Sequence, residues 1–158
     1  MRVSAKVDYA VRALTALAAA GGTVKGDEIA ADQDIPFNFL ENILADLRRA
    51  GFVSSQRGAL GGYRLAVDPA TISVADVIRV MEGPLADVRG VAPEDLHYPP
   101  AVQPLQRVWV ALRANLRAVL EGVTIADVAG DRLPPFLDEL VDDPDAWARR
   151  GHGQVRQP

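Results

Sequence analysis

The sequence has no cysteine, only two histidines among its 158 residues, and 6% aromatic content. Without cysteine it forms no disulfide, no thiolate zinc site, no cysteine-ligated iron–sulfur cluster and no thiol nucleophile. His97 and His152 both fall in segments that read as irregular, and no metal-ligand spacing accompanies them. An enzyme is therefore not expected. The longest apolar run, Ala13 to Ala20, is too short to cross a bilayer. Met1-Arg2-Val3-Ser4 opens no pattern of charge, apolar run and cleavage site. A cytoplasmic protein with no membrane association is expected.

What the chain does have is a 49% hydrophobic composition, enough for one core of ordinary domain size. Its formal net charge is −4, which by itself sits poorly with a phosphate-binding surface. The acidity is uneven, however. Residues 1–65 carry 8 Lys and Arg against 7 Asp and Glu, while residues 66–158 carry 9 against 14.

Between Ser4 and Ala20 the residues Val7, Ala10, Val11, Leu14, Leu17 and Ala18 recur at three- and four-residue spacing, and Gly21-Gly22 follows. This spacing predicts an amphipathic helix. A short second helix is expected from Gly26 to Asp32, with Asp27 and Glu28 at its positive end. Asp34-Ile35-Pro36 breaks the chain, and a third helix runs from Pro36 to Ala50 with Phe39, Leu40, Ile43, Leu44 and Leu47 on one face. Two helices joined by a tight turn, the second with a polar outer face, describe a helix-turn-helix. Phe52-Val53 and the alternating Tyr63, Leu65 and Val67 then predict two strands. Three helices followed by a hairpin is the order of a winged helix. A further helix to Glu82 is capped by Thr71 or by a Ser73-x-x-Asp76 box.

Residues 83–100 form a proline-broken loop. Beyond it, Ala101 to Glu121 carries Leu105, Trp109, Leu112, Leu116 and Val119 at heptad-like spacing, with Arg107, Arg113 and Arg117 on the opposite face. Such a helix needs something to cover its seam, and a second copy of the chain is the expected cover. Trp109 reads as packing in that seam. Thr124 to Val128 predicts one capped turn, and Phe136 to Val141 a short helix, before a polar end at Gly151 to Pro158.

The stretch SSQRGALGGYRL, Ser54 to Leu65, holds three glycines between the strands. No Gly-Lys-Ser or Gly-Lys-Thr follows them, and G-x-G-x-x-G spacing is absent, so a nucleotide loop is excluded. The glycines build a turn, and Arg57 is what the turn presents. In a winged helix that tip lies beside the duplex when the third helix enters the major groove.

The run from Met1-Arg2-Val3-Ser4 into Asp8-Tyr9-Ala10-Val11-Arg12-Ala13-Leu14, then Ile35-Pro36, Phe39-Leu40-Glu41, Leu47-Arg48-Arg49-Ala50-Gly51 and Ser55-Gln56-Arg57-Gly58-x-x-Gly61-Gly62-Tyr63, resembles the bacterial winged-helix regulators of the IscR, NsrR and CymR type, the Rrf-two family. The resemblance spans roughly residues 1–130 and is sharpest in the Arg-Gly-x-x-Gly-Gly-Tyr wing. It implies a mainly α fold with a small β-hairpin, a winged helix-turn-helix followed by a long dimerisation helix. By domain, this gives 1–82 for DNA binding, 83–100 for the loop, 101–130 for the dimerisation and short helices, and 131–158 for a tail. It further implies a homodimeric repressor on a double-stranded DNA operator. Asn38, Phe39 and Glu41 would face the major groove, and Arg57, with Gly58 beside it, the minor groove. Arg2, Lys6, Arg48, Arg49, Ser54 and Ser55 are the phosphate candidates. Phe39 fits core packing equally well.

The family's best-known members bind an iron–sulfur cluster through three cysteines in the loop before the long helix. Here that region offers His97 and Tyr98 and no thiol, so no cofactor and no metal is expected. Asp8 reads as a surface or capping residue. The signal is left among a small molecule near the 83–100 loop, a partner protein such as the metabolic enzyme that controls CymR-like relatives, and none. The alternative function is a winged-helix protein-interaction module, kept open by the net acidity.

Overall fold

A computed structural model describes residues 2–58 and 60–148. Met1, the wing residue Ala59 and the C-terminal stretch that includes His152 and the expected polar end lie outside the described residues.

Helix α1, Ala5–Ala20, starts where the Ser4 hydroxyl accepts the Val7 N–H at 3.3 Å and stops at Gly21. Its inward stripe of Val7, Ala10, Ala13, Leu14 and Leu17 is buried at the centre of the core. Helix α2, Gly26–Gln33, and helix α3, Phe37–Arg49, are joined by a turn in which Asp34 takes a left-handed conformation (φ 50°) that an Asp tolerates. Ile35 drops from that turn into the core. On α3, Leu40, Ile43, Leu44 and Leu47 are buried. Phe39, offered by its spacing as a fifth core residue, is 43% exposed. It lies outside the buried stripe, on the shoulder of the helix.

Strands β1, Val53–Gln56, and β2, Gly62–Leu65, pair antiparallel with Val53 opposite Leu65, Ser54 opposite Arg64 and Ser55 opposite Tyr63. The wing is anchored by a pairing that the sequence did not announce. Val24, just before α2, exchanges two backbone hydrogen bonds with Tyr63, at 2.9 and 2.7 Å. Gly62 makes room for it, since a Cβ there would lie 2.4 Å from the Val24 carbonyl oxygen. Gly62→Ala is therefore expected to cost more than about 1 kcal/mol and to speed hydrogen exchange at the Tyr63 amide.

Helix α4, Val74–Glu82, buries Ala75, Val77, Ile78 and Met81; Val74, expected inward with them, is half-buried. Residues 83–100 follow, with a Val88–Val91 bridge and a 3-10 turn at Pro93–Asp95. Helix α5, Leu105–Glu121, begins four residues later than its apolar pattern suggested, because Pro100 and Pro104 hold the preceding segment as a separate 3-10 turn. Helix α6, Ile125–Ala129, returns to α1. Ile125 is fully buried in the same core, and backbone hydrogen bonds of 2.9 Å link Val74 to Val123 and Ile125 to Ile72. Helices α7, Phe136–Val141, and α8, Pro144–Trp147, complete the described chain.

The two ends of that bridge carry twin capping boxes, Ser73 with Asp76 and Thr124 with Asp127. Burial works against the Asp76 carboxylate, but the Ser73 hydroxyl and backbone N–H and the Arg79 guanidinium outweigh it and lower its pKa. The Thr124 hydroxyl and backbone N–H lower that of Asp127. Carboxyls depressed in the folded state stabilise it above their unfolded values, and that contribution is lost as pH falls through the folded ones. The melting temperature is expected to fall below about pH 4, and an Asp76→Asn, Asp127→Asn double variant should flatten that fall.

Candidate nucleic-acid interface

One surface carries most of the residues that the sequence nominated. The exposed side of α3 presents Asn38, Phe39, Glu41 and Asn42, with Arg48 and Arg49 in its last turn. Asn42 donates from its side-chain amide to the Asn38 carbonyl at 3.0 Å, which fixes its orientation along the helix. Phe39 sets its ring edge-on against Tyr9 of α1, with centroids 5.8 Å apart, and Arg12 stacks over the same tyrosine at 5.4 Å. Arg12 also pairs with Asp8 at 3.3 Å, so Asp8 is a surface ion-pair residue.

The wing and α3 are joined by polar contacts on this surface. Arg48 donates to the Ser55 hydroxyl at 3.2 Å, so the end of the third helix and the first wing strand form one continuous cationic edge. Arg64 donates to the Ser54 hydroxyl, also at 3.2 Å, across the hairpin. Arg64 was not among the nominated residues, although its place between the inward Tyr63 and Leu65 already set it outward. Arg57 follows β1 directly and is exposed, and among the described residues nothing pairs with its guanidinium. Gly58 beside it has φ 109°, a conformation that turns the chain at the tip and that a side chain would strain.

Other nominated residues are committed elsewhere. Lys6 forms an ion pair with Asp46 at 2.7 Å and approaches the Met81 carbonyl at 3.5 Å, tying α1 to α3 and to the end of α4. Its hydrogen bond and charge, with that of Arg49, hold the Asp46 carboxyl below its ordinary pKa despite some desolvation. Arg49 shares Asp46 with it. Arg2 stands apart from the wing, at the mouth of a cavity bounded by α1, α4 and α5.

On α5, Leu105 and Leu112 are exposed, whereas Trp109, Leu116 and Val119 are half-buried. The Trp109 indole donates to the Tyr98 hydroxyl of its own loop at 3.1 Å. Val108, 54% exposed, joins Leu105 and Leu112 instead. Arg113 does not point away from the domain: it pairs with Glu94 at 2.5 Å and lies over the loop.

A helix-turn-helix with a cationic wing invites comparison with known regulators. The family model Rrf2, described as an iron-dependent transcriptional regulator, matches residues 3–131. The chain belongs to the Rrf2 family. It is a DNA-binding, HTH-type transcriptional regulator and not an enzyme. It is 49% identical to the HTH-type transcriptional regulator Rv1287 of Mycobacterium tuberculosis over 99% of this chain and 98% of that one. It is 34% identical to the regulator CymR of Bacillus subtilis over 82% of this chain and 90% of the other. The solved structure of that CymR, described as the global cysteine regulator, superposes with a TM-score of 0.69, at 33% identity over 83% of this chain and 98% of CymR. The structure of IscR from T. potens gives 0.64, at 34% identity over 96% and 95%.

The iron in the family's description finds no matching donor set here. The chain has no thiol, and among the described residues no three His, Asp or Glu side chains converge as a metal site. His97 turns its Nδ1 to the Asp95 carbonyl, 2.9 Å away, rather than toward other ligands. The residues present do not fit a cysteine-held cluster of this family's kind. No helix among the described residues is long and apolar enough to cross a membrane.

Proposed function

We propose that the protein is a homodimeric repressor that reads a roughly palindromic operator and holds no iron–sulfur cluster. One observation carries this reading. Arg48 and Ser55 join the third helix and the wing into a single surface, with Arg57, unpaired among the described residues, at its tip. On that surface Asn38 and Glu41 meet base edges in the major groove, where a carboxylate accepts from cytosine and an amide pairs with adenine. Phe39 supplies apolar contact beside them. Arg57 enters the narrow, strongly negative minor groove. Arg48, Arg64, Ser54 and Ser55 fix register on phosphates, while Lys6 and Arg49 act from charges already shared with Asp46.

Dimerisation is supported by α5. Its Leu105, Val108 and Leu112 form an exposed apolar stripe with the half-buried Val119 at its end. A two-fold pairing of that stripe would offer the operator two recognition helices, one from each protomer.

The test is a titration of promoter DNA from the native genome at a series of salt concentrations. Specific binding should weaken steeply as salt rises, by about three orders of magnitude or more between 50 and 200 mM if six or more phosphates are neutralised. Binding that ignores salt, or that is equal for unrelated duplexes, would overturn the reading.

A further inference from the structure

The loop that carries cysteines in cluster-binding relatives borders, in this chain, a cavity of about 730 Å³ between α4 and α5. That volume is in the range of small-molecule sites. Its composition is unusual for a chain of net negative charge. Arg79 from α4 and Arg113 and Arg117 from α5 all line it, while Pro84, Leu85 and Ala92 supply an apolar wall.

From this arrangement we infer that the cavity binds a small organic carboxylate with a short apolar body. Of the nearby carboxylates only Asp87 lines the cavity; Asp76, Glu94 and Glu121, outside its lining, pair with the arginines, so in formal charge four carboxylates answer three guanidiniums. Their hydrogen-bonding capacity is answered less fully. A guanidinium has five N–H donors. Arg79 spends its two terminal nitrogens on Asp76 and Glu121, and Arg113 spends one on Glu94. Arg117 is half exposed, and its one ion contact among the described residues, with Glu121, is loose at 3.9 Å. An incoming carboxylate can take the fork of Arg117 and the remaining edges of its neighbours, and bidentate pairing suits a planar carboxylate. The body of the ligand then covers the proline and leucine wall.

Arg113 and Arg117 lie to one side of α5, about a third of a turn round from Leu105, Val108 and Leu112 at 100° per residue, and Arg79 comes from α4, so a partner helix on that stripe does not cover them. The site is also connected to the DNA-facing helix. The last turn of α4 contains Met81, whose carbonyl meets Lys6, and Lys6 holds Asp46 of α3. On the regulator reading above, on which this consequence rests, the cavity is the place where a metabolite acts on operator affinity.

The experiment uses the full chain and four probes at 10 mM, namely succinate, citrate, benzoate and inorganic phosphate, with sodium chloride matched for ionic strength. At least one carboxylate should raise the melting temperature by about 3 °C or more. Arg117→Ala should abolish the rise without shifting the unliganded melting temperature, because its ion contact is long and exposed. Arg107→Ala, on the exposed side of α5, should retain it. No rise with any carboxylate, an equal rise in Arg117→Ala, or a phosphate rise matching the largest carboxylate rise would overturn the inference. The melting arm needs no DNA, so its failure is distinct from failure of the operator titration.

Discussion

Leu112→Glu is expected to convert the protein from dimer to monomer. Leu112 lies mid-way along the apolar stripe of α5, is 43% exposed in the single chain, and belongs to a helix with no fully buried residue. A helix of 17 residues that buries nothing completely within its own chain leaves an apolar stripe for a second surface to cover. In a two-fold interface each substitution counts twice and brings two carboxylates toward one another in an apolar seam. The dimer dissociation constant should rise by more than about 100-fold, close to 3 kcal/mol. Sedimentation at micromolar concentration reads it directly. The monomer's melting profile should keep its shape, because Leu112 takes no part in the core around α1. An unchanged dimer would place the interface elsewhere.

Arg57→Ala is expected to weaken operator binding by about 5- to 150-fold, the 1–3 kcal/mol typical of an arginine that reads a base edge or a narrow groove. The substitution costs the fold nothing visible, since the side chain is exposed and pairs with none of the described residues. The loss should also depend on sequence, being largest where the minor groove under the wing is A·T-rich. Arg48→Ala provides the contrast. It removes the proposed phosphate contact and the Ser55 link, so it should weaken all duplexes alike and lower the salt slope by about one. If Arg57→Ala binds as tightly as the wild type at fixed salt, the wing does not touch DNA.

Much of this architecture was legible in the sequence because its signals are local. Ser4, Ser73 and Thr124 announce helix starts, the α1 and α3 stripes follow helical periodicity, and Gly58, Gly61 and Gly62 mark the turn. What stayed hidden depends on pairings between distant residues. Val24 contributes a single residue to the wing's sheet, too short for any alternation to show. Ile125 belongs to the α1 core although the chain reaches it only after α5. Trp109 fits a heptad seam by spacing, yet the Tyr98 hydroxyl draws its indole toward the loop. Phe39 shows the limit of periodicity on a 13-residue helix: the position just off the buried stripe is apolar but exposed. At the surface proposed to face DNA, the resemblance to the family nominated Asn38 and Glu41, and the glycine turn at the wing tip nominated Arg57, whereas Arg64 needed the strand register to be noticed.

The central claim is that the α3 and wing surface holds a specific operator. Its most direct test is recovery of the DNA fragments crosslinked to the protein in its own cells. The account predicts enrichment of a small set of promoters that share an inverted repeat with half-sites about one helical turn, or a multiple of it, apart, and loss of that enrichment in Arg57→Ala cells. Fragments indistinguishable from a mock recovery, or an enrichment that Arg57→Ala leaves intact, would contradict it.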